Sequence, residues 1–165
     1  MLYTYKKIEK ASIVLNDLIK INNDRTLCYQ QAMEYIPNND FDLKLLFKEI
    51  INEGQAFKEQ LINKINEIAN SADNLSVSGL IHRAWQDLKI TYTGKTRNAI
   101  INFCEYNEEV AQHAYKAALN VSAEMNKDIY LLIEQQQSAL KRTSASIKKC
   151  HEARAYSSPV LTYFN

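Results

Sequence analysis

Hydrophobic residues recur at helical spacing along four long stretches of the chain. The first two cover about residues 5–36 and 41–70, and Pro37 followed by three polar residues separates them. The third runs from about residue 95 to 119, and the fourth opens at Asn120 or Ser122 and continues to about residue 155. Apolar residues at every third or fourth position are typical of helices that bury one face. The pattern therefore predicts four long amphipathic helices, of which the first two form a hairpin.

A fifth, shorter helix is predicted in the connection between the second and third long helices. After the polar residues 71–76, apolar residues return at helical spacing from Val77 to Leu88, which suits a crossover along the bundle. The final ten residues, 156–165, contain Ser-Ser-Pro and no helical period. We therefore expect a helical bundle over residues 1–155 and an extended C-terminal tail over residues 156–165.

The composition agrees with an all-α protein. The chain has 3 Gly and 2 Pro among 165 residues, so few positions interrupt a helix. No apolar run approaches the roughly 18 residues that a bilayer-spanning helix needs. Charges at Lys6, Lys7, Glu9 and Lys10 stand where a signal peptide would be apolar, which favours a cytoplasmic protein.

Net charge and cysteine usage narrow the classes of partner. Lys and Arg number 20 against 19 Asp and Glu, so the chain lacks the positive field that favours nucleic acid or an anionic membrane as a partner. The three cysteines are odd in number and widely spaced, which favours reduced thiols over a disulfide framework. The partners that remain are another protein or a second copy of the chain, as in a dimer.

Polar residues interrupt the apolar stripe near the middle of each long helix. In an antiparallel bundle these positions fall at one height and form a buried polar layer, which needs hydrogen bonds or ion pairs. Two occupants would satisfy it: metal ions held by carboxylates, or the guanidinium of Arg25 bridging Glu53 and a glutamate of the third helix. The predicted layer consists of Asn22, Arg25, Glu53, Glu105 and Gln136.

A metal site is the alternative interpretation of the same region. Di-iron bundles use Glu-x-x-His on two helices, and none of the three histidines here follows a glutamate by three positions. The sequence therefore favours the ion-paired layer, with no catalytic residue and no cofactor. If di-iron or another divalent metal were bound, the candidate ligands would be Asp24, Glu53, Glu105, Glu108, Glu109 and His113.

Residues 78–89, SGLIHRAWQDLK, together with Cys104-Glu105 and Glu108-Glu109, resemble the signature of a bacterial ferritin-like, rubrerythrin-like four-helix-bundle family of unknown function. The similarity extends over about residues 10–150. It implies a ferritin-like bundle in a bacterial cytoplasm, with no established reaction.

The resemblance also assigns positions to that family's acidic residues. Glu105 and Glu109 match its acidic pair in the third helix, and Asp24 matches its acidic residue in the first. The chain departs from the pattern at Ala56, where the family has a carboxylate, and at Ser144, where it has a histidine. Together these observations predict a non-catalytic structural or interaction protein without a complete di-iron site. The alternative is a degenerate di-metal carboxylate protein with ferroxidase or peroxidase-type activity.

Overall fold

Four long helices account for nearly all of the computed structural model, which describes residues 5–70, 96–122 and 125–155. They are α1 (Tyr5–Tyr35), α2 (Phe41–Asn70), α3 (Arg97–Ser122) and α4 (Lys127–Ala155). The prediction of four long helices is confirmed. The predicted crossover helix and the tail, residues 156–165, lie outside the described residues. None of the four helices has the length and apolarity needed to cross a bilayer.

The helix ends follow local hydrogen bonds. The carbonyl of Asp40 accepts the first backbone bond of α2, from the amide of Lys44 at 3.1 Å, which puts Asp40 at the N-cap. The predicted start of the last helix at Asn120 or Ser122 is wrong, because α3 continues to Ser122. The side chain of Asn126 caps α4 instead, since its Oδ1 accepts a bond from the amide of Asp128 at 2.8 Å.

Neighbouring helices run antiparallel. Contacts from Arg25 to Glu53 and from Asn23 to Lys58 set the register of α1 on α2. Contacts from Asn22 and Arg25 to α3 place that helix on the other side of α1. The fourth helix closes the bundle, because it contacts α3 through Gln136 and α2 through Thr143.

Two hydrophobic clusters fill the bundle at different heights. The first lies toward the start of α1 and the second toward its end, where Tyr29 and Phe47 meet edge to face with ring centroids 4.9 Å apart. Between the two clusters the inward-facing side chains are polar. The polar side chains at this height, rather than the apolar clusters, provide the groups for a functional site.

Candidate functional site

A fully buried arginine lies at the centre of the bundle. Arg25 is 2% exposed, and its Nε donates to Oε1 of Glu108 at 2.7 Å while its Nη2 donates to Oε1 of Glu53 at 2.8 Å. Charge-assisted bonds of this length are the stronger kind of protein hydrogen bond. One guanidinium therefore joins α1 to α2 and to α3.

The two carboxylates have further donors. Oε1 of Glu108 also accepts a bond from the hydroxyl of Tyr29 at 2.8 Å, and the hydroxyl of Thr143 donates to the carboxylate of Glu53 at 3.1 Å. We call Arg25, Glu53, Glu108, Tyr29 and Thr143 the Arg25 network. Since Thr143 belongs to α4, this network involves all four helices.

A second, uncharged network lies beside the first. Nδ2 of Asn22 donates to the hydroxyl oxygen of Tyr115 at 2.6 Å, and that hydroxyl donates to Oε1 of Gln136 at 2.7 Å. Nε2 of Gln136 then donates to Oε1 of Gln60 at 2.8 Å and to the carbonyl of Phe57 at 3.3 Å. We call Asn22, Tyr115, Gln136 and Gln60 the Tyr115 network. Its bonds satisfy a buried hydroxyl that would otherwise destabilise the core.

Burial and charge fix the protonation states of these groups. Burial alone would lower the pKa of Arg25. The charge and hydrogen bond of Glu108 act in the opposite direction, as do the charges of Tyr29 and Glu53, and together they raise the pKa above its ordinary value. Burial, and then the charge of Glu108, raises the pKa of Tyr29 well above its ordinary value. Burial also raises the pKa of Tyr115. The site thus holds a permanent cation beside two protonated phenols.

A glycine makes room for the arginine. A Cβ on Gly54 of α2 would lie 2.6 Å from Oγ1 of Thr26 and 3.8 Å from Nη1 of Arg25. The Thr26 hydroxyl is held in place by its bond to the carbonyl of Asn22 at 2.8 Å. Gly54 therefore lets α1 and α2 approach closely at the height of the guanidinium.

The structure differs from the predicted layer at one position. Asn22, Arg25 and Gln136 are buried and Glu53 is partly buried, but Glu105 points toward His151, with Oε1 and Nδ1 3.5 Å apart. Glu108 contacts Arg25 in its place. The buried row of α3 follows residues 101, 104, 108, 111 and 115, and Glu105 lies about 100° around the helix from position 104.

The candidate metal ligands are dispersed. Asp24 lines a surface groove between α1 and α3, while Glu109 and His113 are exposed. Only Glu53 and Glu108 face each other, and Arg25 lies between them. Across residues 5–70, 96–122 and 125–155, no three His, Cys, Asp or Glu side chains are grouped closely enough to hold an ion. These residues do not fit a di-iron centre, since an ion here would lie beside a guanidinium.

The two departures from the family pattern differ in their surroundings. Ala56 is exposed on α2, so a carboxylate at this position would face solvent rather than the Arg25 network. Ser144 is buried beside Thr143. A histidine there would lie in the interior, one position along α4 from the residue that contacts Glu53. Of the two, only the substitution at position 144 changes the interior.

Thr143, Gly54 and Gln60 are among the residues of the site that sequence reasoning missed. Thr143 follows Gln136 by seven positions, and this spacing of two helical turns was the signal that both face inward. Gly54 stands alone inside a long helical stretch of a glycine-poor chain, which also marks a close approach. The exposed Gln60 gave no such signal.

None of the three cysteines forms a disulfide. Cys28 and Cys104 are buried next to each other, whereas Cys150 is only partly buried. The hydrogen bond with Cys28, together with burial and the nearby negative charges, raises the pKa of Cys104 far above the ordinary value. A thiol held protonated in this way is a poor nucleophile. These cysteines give the site no thiol chemistry.

Comparison with known proteins identifies the fold. The sequence profile of a family described as a domain of unknown function (DUF2383) matches residues 10–121. A solved structure of a Dps1 mutant from Mycobacterium smegmatis is similar, with a TM-score of 0.74 and 12% identity over 88% of this chain and 97% of that one. No curated protein sequence matches significantly. At this identity the likeness concerns the fold alone, which is that of a ferritin-like four-helix bundle.

Proposed function

The chain belongs to the DUF2383 family, and we propose that it is a non-catalytic structural or interaction protein whose interior is held by an arginine-centred ion pair. The observation that carries this proposal is the position of Arg25, whose nitrogens bind one carboxylate from α2 and one from α3. Ferritin-like bundles build metal sites from such inward-facing carboxylates near mid-height. Here a guanidinium neutralises them.

The protonation states support the same proposal. General acid–base catalysis requires a group whose pKa lies near the working pH. The pKa values of Arg25, Tyr29 and Tyr115 are all raised, so these groups stay protonated under physiological conditions. They hold hydrogen bonds rather than exchange protons, which suits a layer that fixes helix register.

One observation favours the alternative, a degenerate di-metal protein with ferroxidase or peroxidase-type activity. Oε2 of Glu108 is buried and accepts no hydrogen bond from any described group, so it is available as a ligand atom. A second inward carboxylate, Glu53, lies across Arg25. This would suffice for an ion only if the guanidinium moved away, which the two short ion pairs oppose.

The other parts of the proposal concern location and partners. We propose a bacterial cytoplasm and rubrerythrin-like relatives on the strength of the resemblance carried by residues 78–89, and three cysteines outside any disulfide suit that compartment. A nearly neutral chain suits a protein partner or a second copy better than nucleic acid or a membrane surface.

Elemental analysis tests the proposal against the alternative. Protein purified without chelator or affinity tag would be analysed for metals, titrated anaerobically with Fe(II), and then exposed to oxygen. We expect no stoichiometric metal and no protein-dependent oxygen uptake. About two ions per chain with oxygen consumption, abolished by Glu108→Gln, would overturn the proposal in favour of a di-metal oxidase. Glu134→Gln is the control, since Glu134 is exposed on α4 and is not among the candidate ligands.

Light scattering tests whether the partner is a second copy of the chain. A dimer that dissociates on dilution would identify a second copy as one partner of the chain. A monomer at all concentrations would exclude a second copy as the partner.

A further inference from the structure

An apolar groove lies between α1 and α3 on the surface of the bundle. Its volume is about 380 Å³, and aliphatic side chains of α1 face small side chains of α3 across it. The apolar lining includes Val14, Leu18 and Ile21 from α1 and Ala114, Ala117 and Val121 from α3. A contiguous apolar surface usually marks a place where another molecule binds.

A row of apolar side chains continues this surface along the outside of α3. Val110, Ala114, Ala117 and Val121 follow one another at intervals of four, three and four positions, so they share one face of the helix. We call these four residues the α3 row. The two valines are 39% and 51% exposed. Because the intervals are the same in either direction, a second α3 packed antiparallel sets its Val121 against Val110 and its Ala117 against Ala114, as a two-fold symmetric contact requires.

Three charged side chains lie along the α1 edge of the groove. Asp17, Lys20 and Asp24 give this edge the order negative, positive, negative. Burial raises the pKa of Asp24 above its ordinary value, and the charge of Lys20 on the same helix acts in the opposite direction without cancelling this. A second cation would therefore stabilise the Asp24 carboxylate.

The same two-fold symmetry supplies that cation from a second copy. Asn22 of α1 bonds to Tyr115 of α3, so an axis through the centre of the α3 row crosses α1 near Asn22. Lys20 and Asp24 lie two positions before and after Asn22. An antiparallel α1 therefore brings its Lys20 opposite Asp24 and its Asp24 opposite Lys20, so the charges complement each other twice.

The dimensions of this face indicate a weak contact. The α3 row is about 16 Å long, and two neighbouring helices are about 20 Å wide, so two copies would bury roughly 600 Å² between them. Interfaces below about 1,200 Å² are typical of weak, transient complexes. We therefore expect association in the micromolar range rather than an obligate dimer.

We propose that the groove and the α3 row form the contact between two copies of this chain, which pack antiparallel about a two-fold axis. Burial of the exposed valines drives the association, and the pairs between Lys20 and Asp24 fix the relative position of the copies. This inference rests on the proposed function, since it assigns a second copy as the partner of a non-catalytic interaction protein.

Sedimentation equilibrium of the full chain measures this association. We expect a monomer–dimer equilibrium with a dissociation constant in the micromolar range. Val121→Arg should weaken it by about tenfold or more, because the contact would bury two cations against apolar side chains. Ala145→Arg, at an exposed position of α4, is the control and should leave the dissociation constant unchanged. Circular dichroism would establish that both variants remain helical. A monomer at all concentrations would overturn the proposal, and so would equal association of the two variants.

An exchange of charges tests the antiparallel arrangement. Lys20→Asp should weaken the dimer, because it leaves only carboxylates along the α1 edge of the groove. Adding Asp24→Lys to that variant should restore association, since each new lysine lies opposite the new carboxylate of the other copy. No recovery in the double variant would overturn the arrangement.

Disulfide cross-linking tests whether the α3 row lies in the contact. Ala114→Cys and Ala117→Cys chains would each be made together with Cys150→Ser, which removes the partly buried native thiol. Mild oxidation of a mixture of the two should link one variant to the other, whereas Ala145→Cys should give no linked dimer. A product within one chain, or no product, would show that the face has a different occupant and overturn the proposal.

The dimer contact and the proposed function fail in different ways. A monomer without metal would overturn the contact and leave the non-catalytic function intact. A dimer that binds iron and consumes oxygen would overturn the proposed function and leave the contact intact.

Discussion

Nε of Arg25 and Oε1 of Glu108 are 2.7 Å apart, and neither side chain is more than 1% exposed. Breaking a buried ion pair by removing one partner is strongly destabilising, because the other charge stays buried without compensation. The stability of the bundle therefore depends on keeping both members of this pair or replacing both.

Removal of Arg25 alone should destabilise the protein strongly. We expect Arg25→Met to lower the free energy of unfolding by about 3 to 5 kcal/mol, because Glu108 loses its counter-ion. Urea unfolding followed by circular dichroism measures this. Arg142→Met, at an exposed position of α4, is the control and should change stability by less than about 0.5 kcal/mol.

The double variant tests whether the two residues act as one unit. Arg25→Met combined with Glu108→Gln should be considerably more stable than the sum of the single changes predicts, since no uncompensated charge remains. Strict additivity of the two effects would contradict the buried pair.

Replacing Gly54 with alanine should have the opposite effect on stability to the one that helix propensity predicts. In an ordinary helix interior, Gly→Ala stabilises by about 1 kcal/mol. Here the new Cβ would lie 2.6 Å from Oγ1 of Thr26, so we expect Gly54→Ala to destabilise the protein in denaturant unfolding. Thr26→Ala should remove most of that effect in the double variant. A stabilising Gly54→Ala would show that α1 and α2 do not approach closely here.

High pH should unfold the bundle through its buried tyrosines. Burial and the charge of Glu108 raise the pKa of Tyr29, and burial raises the pKa of Tyr115, so the folded state holds both protons more tightly. Their contribution to stability is full below the unfolded pKa of about 10 and is lost as pH rises above it. Absorbance at 295 nm should show these two phenols ionising only together with loss of helical signal.

Phenylalanine variants assign that alkaline transition. Tyr29→Phe should weaken the pH dependence of the free energy of unfolding above pH 10, because one shifted phenol is gone. Tyr106→Phe is the control, as Tyr106 is 62% exposed, and should leave the dependence unchanged. Ionisation of all ten tyrosines before the helical signal is lost would contradict the burial of Tyr29 and Tyr115.

Thiol reactivity should separate the cysteines into two classes. Cys28 and Cys104 are buried and Cys150 is partly exposed, so one thiol per native chain should react readily with a disulfide reagent. Cys150→Ser should remove this phase, and Cys104→Ser should leave it intact. Rapid reaction of all three thiols without denaturant would contradict the packing of α1 on α3.

The sequence predicted the helices well because burial follows a period that a helix imposes. Pro37 and the polar residues after it marked the first turn, and the interruptions at Asn22, Arg25, Glu53 and Gln136 lie where the structure has polar side chains. A helical period specifies a face about 100° wide but no single residue within it. It could not separate Glu105 from Glu108, which both lie near that face.

The remaining contacts of the site depend on how helices approach one another. The bond from Thr143 to Glu53 joins residues 90 positions apart, and local sequence contains no information on that pairing. The clearance at Gly54 likewise depends on the distance between two helix axes. Such features require the packed structure, even when each residue is conspicuous in its own helix.

The Arg25 network also has a consequence for the path of the chain. In a simple up-and-down bundle, the first and third helices run parallel and lie diagonally opposite each other. Arg25 and Glu108 are 83 residues apart in sequence, and their pairing requires those helices to be neighbours, while the bond from Asn22 to Tyr115 makes them antiparallel. A chain that folded into the up-and-down order would separate Arg25 from Glu108 and leave that buried carboxylate without its counter-ion. The ion pair thus selects the helix connectivity, by making the competing topology electrostatically unfavourable.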